Sequence, residues 1–190
     1  MHMVAPAKMW TVNEIRALPD DGMRYEVVDG QLLVTPAPTW THGEAVQELQ
    51  YRLHAWLRTV GVGHVKVAPA DVVLGPRTLV QPDLFVVPLV NGRRPDNWQE
   101  AGRMLLAVEV LSPGTARRDR ILKRELYQRV HVPEYWIVDV DTRAVERWQA
   151  NDLRAELLAD RIEWHPEGAG EPLVIDLADY FASVLGEVQR

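Results

Sequence analysis

Two acidic residues of this chain stand where an acid is expensive. Glu109 lies inside the apolar run Met104 to Leu111, where an ionised carboxylate is costly unless it is paired, hydrogen-bonded or bound to a metal. Asp83 follows Pro82 at the head of a second apolar stretch, Leu84 to Val87. Proline has no amide hydrogen to give a sheet ladder, so it is best tolerated near a strand start or a bulge. Pro19-Asp20 and Pro95-Asp96 repeat the dipeptide in polar turns, and only Asp83 stands beside a buried strand. Carboxylates brought together from neighbouring strands repel one another and invite a cation, and hard oxygen donors suit Mg²⁺ or Mn²⁺. An ion held in this way polarises a phosphoryl oxygen and lowers the pKa of its bound water. The ordinary alternatives for Glu109 are a strand-end residue that reaches water, or a salt bridge to one of the arginines.

Such a centre also needs a positive group to position a nucleophile and neutralise developing charge. Asp119, Lys123 and Tyr127 are spaced four apart on a predicted helix and share one face. Alone, Asp119 and Lys123 would be a surface ion pair worth a few tenths of a kcal/mol. Their place just after the Glu109 strand makes Lys123 the candidate for that role. Glu26, His42 and Tyr127 are secondary candidates. Glu26 alternates with Tyr25 and Val27 in a strand, which also fits an outward-facing residue. His42 opens the apolar face of its helix and would orient a water or a phosphate, or serve as a hydrogen-bonded core histidine. Tyr127 and Trp136 sit in apolar periodic contexts that suit core aromatics better than base-stacking platforms.

The 190 residues, 47% of them hydrophobic, suffice for one sizeable core, and a net charge of −6 argues against a protein that coats nucleic acid nonspecifically. Between Ser112 and His131, however, Arg117, Arg118, Arg120, Lys123, Arg124 and Arg129 outnumber Asp119 and Glu125, a local charge of +4. Arg117, Arg118 and Arg120 are the candidates for phosphate contact, and a solvated helix face is the ordinary reading of the same run. The absence of cysteine excludes disulfides and thiolate zinc sites and suits a reducing cytoplasm. Met1 to Trp10 contains no basic segment leading into a long apolar run, so neither a signal peptide nor a membrane span is expected. Ser112 and Ser183, the only serines, stand in no nucleophile-elbow pattern. Neither a phosphate-cradling glycine loop nor a His-Glu-x-x-His motif occurs.

Positioning these groups falls to elements that the pattern predicts one by one. Thr11 and Glu14 make a capping box for a short helix ended by Pro19. Arg24 to Val28 and Gln31 to Val34 flank Asp29-Gly30, a hairpin signal. Val46, Leu49, Leu53, Trp56, Leu57 and Val60 form the stripe of a helix from His42 to Val60, closed by Gly61 and Gly63. Strands are predicted over Val65 to Leu74 and Leu79 to Val87, a polar loop over Asn91 to Gly102, and a strand buried on both faces over Met104 to Leu111. A helix over Ala116 to Val130 and a buried strand over Tyr135 to Val140 follow. Val145 to Gln149 and Leu153 to Trp164 read as antiparallel strands, and Leu177 to Val188 as a closing amphipathic helix. The class is therefore α/β, a mixed sheet flanked by helices with antiparallel hairpins at both ends, and sites in such sheets form at strand ends.

Four segments in this order carry a resemblance: Arg24-Tyr25-Glu26-Val27-Val28-Asp29-Gly30; Val80-Gln81-Pro82-Asp83; Glu109-Val110-Leu111-Ser112-Pro113 through Asp119 and Lys123 to Tyr127; and Val132-Pro133-Glu134-Tyr135-Trp136-Ile137-Val138-Asp139. Together they resemble the Uma2 family (DUF820), endonucleases of the PD-(D/E)XK type. The resemblance implies one restriction-endonuclease-like domain over 1–190, with a core at about 24–140 and C-terminal strands and helix at 144–190. It implies Asp83 and Glu109 as metal ligands, Lys123 as the catalytic lysine, Mg²⁺ or Mn²⁺ as cofactor and nucleic acid, DNA above all, as substrate. Leu111 occupies the place where the plain motif has its lysine, so the ammonium is carried over to Lys123 on the following helix. Duplex cleavage is conveniently served by two active sites, which makes a homodimer the expectation from chemistry. Because fold does not establish function, a nuclease-like module that binds nucleic acid or a protein without cutting is the competing reading.

Overall fold

Asp29 and Gly30 both hold positive φ, 49° and 85°, as a two-residue type I′ turn requires. They join β1 (Arg24–Val28) to antiparallel β2 (Gln31–Thr35), with Val28 opposite Gln31. Ahead of the hairpin, the reciprocal capping box of Thr11 and Glu14 opens α1 (Val12–Arg16). The structure, a computed structural model, describes residues 8–187. Val188, the last position of the predicted closing helix, and residues 1–7 of the amino-terminal stretch lie outside them.

The longest helix, α2 (Trp40–Val60), starts where the Thr39 hydroxyl accepts from the His42 amide and stops at Gly61 with φ 68°. Its stripe of Ala45, Leu49, Leu53 and Leu57 is buried. Beyond it the strands are shorter than the sequence pattern predicts. The two long strands predicted over Val65 to Leu74 and Leu79 to Val87 each break and change sheets, giving β3 (Gly63–Val67), β4 (Val72–Gly75), β5 (Thr78–Val80) and β6 (Leu84–Pro88). The breaks fall at Ala68-Pro69 and Gln81-Pro82-Asp83, where a proline without a ladder donor interrupts the pairing. β3 pairs with β6, whereas β4 and β5 pair with each other and join the first hairpin through Val27 and Leu79.

The predicted polar loop contains a helical turn, α3 (Trp98–Ala101), capped by Asn97. β7 (Leu106–Val110) is buried throughout. A π-helical segment, Arg118–Lys123, runs into α4 (Arg124–Arg129) and leads to β8 (Glu134–Asp139). The single strand expected over Leu153 to Trp164 is two, β10 (Glu156–Leu158) beside β9 (Ala144–Gln149) and β11 (Arg161–Trp164) beside β12 (Leu173–Asp176). Only Leu173 and Ile175 mark the inward face of β12, too short an alternation to predict a strand. The closing helix is α5 (Leu177–Val184).

Six strands form the main sheet in the order β10-β9-β8-β7-β6-β3, in which β7 and β8 are parallel and the other neighbours antiparallel. A four-stranded antiparallel sheet has the order β2-β1-β5-β4. One face of the main sheet, with Leu84, Val108 and Trp136, packs with side chains of α2, α5 and the β11–β12 pair. The other face, with Phe85, Ala107 and Ile137, packs with Leu126 and Tyr127 of α4 and with Val28 and Val80 of the smaller sheet. That second face, between two sheets and a helix, carries the buried charges described below. Among the described residues no helix is long and apolar enough to cross a membrane.

Gly63 opens β3 where a Cβ would stand 2.8 Å from the Val87 carbonyl oxygen and 2.9 Å from Val86 Cγ1. Gly63→Ala is therefore expected to cost about 1–3 kcal/mol of unfolding free energy in a urea titration. Gly114→Ala, whose Cβ would meet nothing within 4 Å, should shift it by less than about 0.5 kcal/mol. Equal stabilities for the two variants would contradict the close approach of β3 to β6.

Candidate active site

Leu84 lies opposite Val108 across β6 and β7. Carrying that register one residue further sets Asp83 opposite Glu109 with both side chains on the same face of the sheet, the face that carries α4. Asp83 is 3% exposed and Glu109 2%. Asp83 Oδ2 accepts the Val110 amide at 2.9 Å. Its Oδ1 accepts Arg24 Nη1 at 2.8 Å and lies 3.4 Å from His42 Nε2. Pro82 makes this possible: where the chain leaves one sheet for the other, a side chain that would otherwise face core meets groups from three elements.

Lys123 is the centre of the arrangement. Its ammonium lies 2.8 Å from Glu109 Oε1, 3.2 Å from Glu26 Oε2 and 3.8 Å from Asp119 Oδ1. Tyr127 donates its hydroxyl to the same Glu109 oxygen at 3.0 Å, and Tyr135 donates to the Asp119 carbonyl at 3.2 Å. Glu26 Oε1 accepts the Gln81 amide at 2.8 Å, so Glu26 is bonded at both oxygens. Asp119 and Lys123 are buried, not the surface pair that their spacing alone suggests. The outward reading of Glu26 is likewise corrected. β1 is an inner strand covered on both faces, with Val27 packed toward α1 and Val28 toward the main sheet, so alternation does not mark a solvent side.

Sequence reasoning passed over Arg24, and did not count Asp119 among the site residues. The signal for Arg24 was present: it stands two residues before Glu26 in a strand and therefore on the same face. Of the basic residues, Arg118 donates to the Val34 carbonyl and the Thr35 hydroxyl at 3.1 and 3.2 Å. Arg120 is bonded to Glu146 at 2.6 Å and Asp139 at 3.3 Å, on strands β9 and β8, and Arg117 is exposed. A cavity of about 210 Å³ is lined by Arg24, His42, Asp83, Glu109, Arg118 and Lys123 among others. It adjoins a larger cleft of about 610 Å³ that Arg24, His42 and Asp83 also line.

The electrostatics of these groups diverge. Burial by itself would raise the Asp83 pKa, but the hydrogen bond from His42 and the charge of Arg24 hold it well below the usual carboxylate range. Burial pushes Glu109 well above that range despite the attraction of Lys123, and Asp83, Asp119 and Glu26 add to the rise. Asp119 is raised mainly by burial. Burial disfavours the Lys123 ammonium too, but Glu109, Glu26 and Asp119 outweigh it and raise its pKa. The lysine is the firmer of the pair: with three carboxylates around it, it keeps its proton even when Glu109 takes one up.

Counted as ionised, the four carboxylates exceed the two cations that face them, Arg24 and Lys123, by two formal negative charges, and the raised pKa values of Glu109 and Asp119 are the response to that surplus. Buried charge of that kind is relieved by a proton or by a cation. Among the described residues no three acidic or histidine side chains converge into a ready-made metal cage. The donor chemistry suits Mg²⁺ nonetheless, because that ion is usually held by one or two carboxylates and keeps several waters. The lowered pKa of Asp83 favours its anion, and the contacts of Lys123 and Tyr127 to Glu109 both fall on Oε1.

Residues 12–174 match a family model, Uma2, described as a putative restriction endonuclease. The chain is similar in structure to a crystal structure described as a putative nuclease belonging to DUF820, from Anabaena variabilis ATCC 29413. The TM-score is 0.75 at 17% identity, covering 92% of this chain and 99% of the other. That likeness shows the fold. No curated protein matches the chain.

Lys123→Met leaves three carboxylates around an apolar side chain. It is expected to cost about 3–5 kcal/mol of unfolding free energy, the usual penalty for stripping one partner from a buried pair. Arg129→Met, which removes an exposed pair with Asp29, should cost less than about 1 kcal/mol. A loss below 1 kcal/mol for Lys123→Met would refute the buried charge cluster as drawn.

Proposed function

We propose, from the premise that this chain belongs to the Uma2 family, that it is a metal-dependent endonuclease that hydrolyses phosphodiester bonds of nucleic acid, DNA by preference, with Mg²⁺ or Mn²⁺. The observation that carries the reading is the convergence of Asp83, Glu109 and Lys123, from two neighbouring strands and the helix that follows, on one cavity. Asp83 and Glu109 are the proposed ligands of the ion. Once bound, it would supply Lewis-acid polarisation of the phosphoryl oxygen and a more acidic water.

The protein's own groups have separate tasks. Arg24 and His42 keep Asp83 ionised and aimed, and the Val110 amide fixes its second oxygen. Tyr127 orients Glu109 through its hydroxyl, which makes it a positioning residue. Lys123 offers an ammonium to the attacking oxygen and to the charge that develops on the phosphoryl group, and Glu26 and Asp119 hold that ammonium beside Glu109. Arg117 and Arg118 are the proposed phosphate contacts along the strand. Arg120, already paired with two acids, is the least available of the three. Two copies would together serve the two strands of a duplex, and a chain without cysteine suits work in the cytoplasm.

Two measurements test this. Mn²⁺ or Mg²⁺ should raise the melting temperature of the wild type and leave that of Asp83→Ala unchanged. Metal-dependent cleavage of labelled DNA should fall by about 100-fold or more in Asp83→Ala, Glu109→Gln and Lys123→Met, and by about 10-fold in Tyr127→Phe. If the wild type neither gains stability from the ions nor cuts, the fold is a binding module and the nuclease reading is wrong.

A further inference from the structure

The larger cleft is the part of the molecule that the proposed chemistry leaves without a task. It shares Arg24, Pro36, Ala37, Pro38, His42 and Asp83 with the cavity of the buried acids, so whatever fills it is continuous with a group bound there. Its volume, about 610 Å³, falls within the range of roughly 300–1,000 Å³ typical of small-ligand sites. Tyr25, Met23, Val46 and Leu79 line its sides. The Tyr25 hydroxyl donates to Asp21 at 2.7 Å, which restrains the ring. Away from the residues shared with the smaller cavity its polar lining includes Asp71, bonded by Arg16 Nη2 at 3.1 Å and by Gln81 Nε2 at 3.0 Å. The cleft therefore has apolar walls, an aromatic ring held in place and an edge with both donors and acceptors.

We propose that this cleft receives an unpaired nucleobase attached to the phosphodiester under attack, an inference that rests on the nuclease reading. The occupant must be tethered to a phosphate in the adjoining cavity, apolar on its faces and polar at its rim, and a nucleobase meets all three requirements. A base inside a duplex is stacked and has its edge engaged, so it enters only when extruded or already unpaired. Arg24, which lines both spaces and donates to Asp83 through Nη1, stands at the junction between base and phosphate. The substrate so defined is nucleic acid with a single-stranded, bulged or otherwise distorted segment at the scissile bond, recognised by stacking on an aromatic ring as unpaired bases are elsewhere.

Gly43 provides a clean test. It lines the cleft within α2, and a Cβ there meets nothing within 4 Å, so Gly43→Phe adds bulk to the cleft at a helical position that gains from losing glycine. Two duplexes of one sequence are compared, one with a central bulged 2-aminopurine and one with that base paired. Binding is followed by 2-aminopurine fluorescence in Ca²⁺, and folding of each variant by circular dichroism. The wild type should bind the bulged duplex at least tenfold more tightly, with a change in emission as the base stacks. Gly43→Phe should abolish the preference and Tyr25→Ala should weaken it. Equal affinities for the two duplexes, or a preference that survives in Gly43→Phe, would overturn the base cleft. The same duplexes incubated with Mn²⁺ separate the two proposals. A binding preference without cleavage keeps the cleft and removes the nuclease reading, whereas cleavage of both duplexes at equal rates removes the cleft alone.

Discussion

A single ammonium group, that of Lys123, sits among three carboxylates in the interior, and much of the architecture serves to bring those four groups together. Glu26 comes from β1 of the smaller sheet, Glu109 from β7 of the main sheet, and Asp119 and Lys123 from the π-helical segment that follows β7. No one element contains the cluster. The ion pairs therefore act as a rivet through two sheets and a helix, and their burial makes each partner dependent on the others, since a buried charge without its counterpart costs several kcal/mol.

That dependence carries a tension. Four acids against two fixed cations is a poor arrangement for stability taken alone, and burial already drives Glu109 toward its protonated form. Natural chains accumulate such local conflicts where chemistry is done. Here the conflict lies beside a cavity open to a ligand, with Asp83 held ionised by Arg24 and His42 on one side and Lys123 held protonated on the other. Two carboxyl groups opposite each other on neighbouring strands thus have opposite tendencies, Asp83 toward its anion and Glu109 toward its protonated form.

Local signals in the sequence led to much of the frame. The Asp29-Gly30 turn, the Thr11–Glu14 box, the stripe of α2 and the unbroken apolar strand around Glu109 all follow from short-range rules. So did the shared face of Asp119, Lys123 and Tyr127. What the sequence concealed is long-range. The prolines at 69 and 82 divide what look like two long strands into four that change sheets, and only that exchange brings β1 over the acids. Glu26 reads as an outward residue until both faces of β1 are seen to be covered, and Arg24, two residues before it, reaches Asp83 from that same face. The second strand of each C-terminal pair, β10 and β12, has only three or four residues, too little periodicity to declare itself.

The proposal that Asp83 and Glu109 hold one divalent cation beside Lys123 is tested most directly by a crystal soaked in Mn²⁺. Anomalous difference density should show an ion in contact with carboxylate oxygens of both residues, at about 2.1 Å as expected of a small hard cation, with Lys123 still bonded to Glu26. Density found only at surface acids, with Glu109 unchanged in its bond to Lys123, would contradict it.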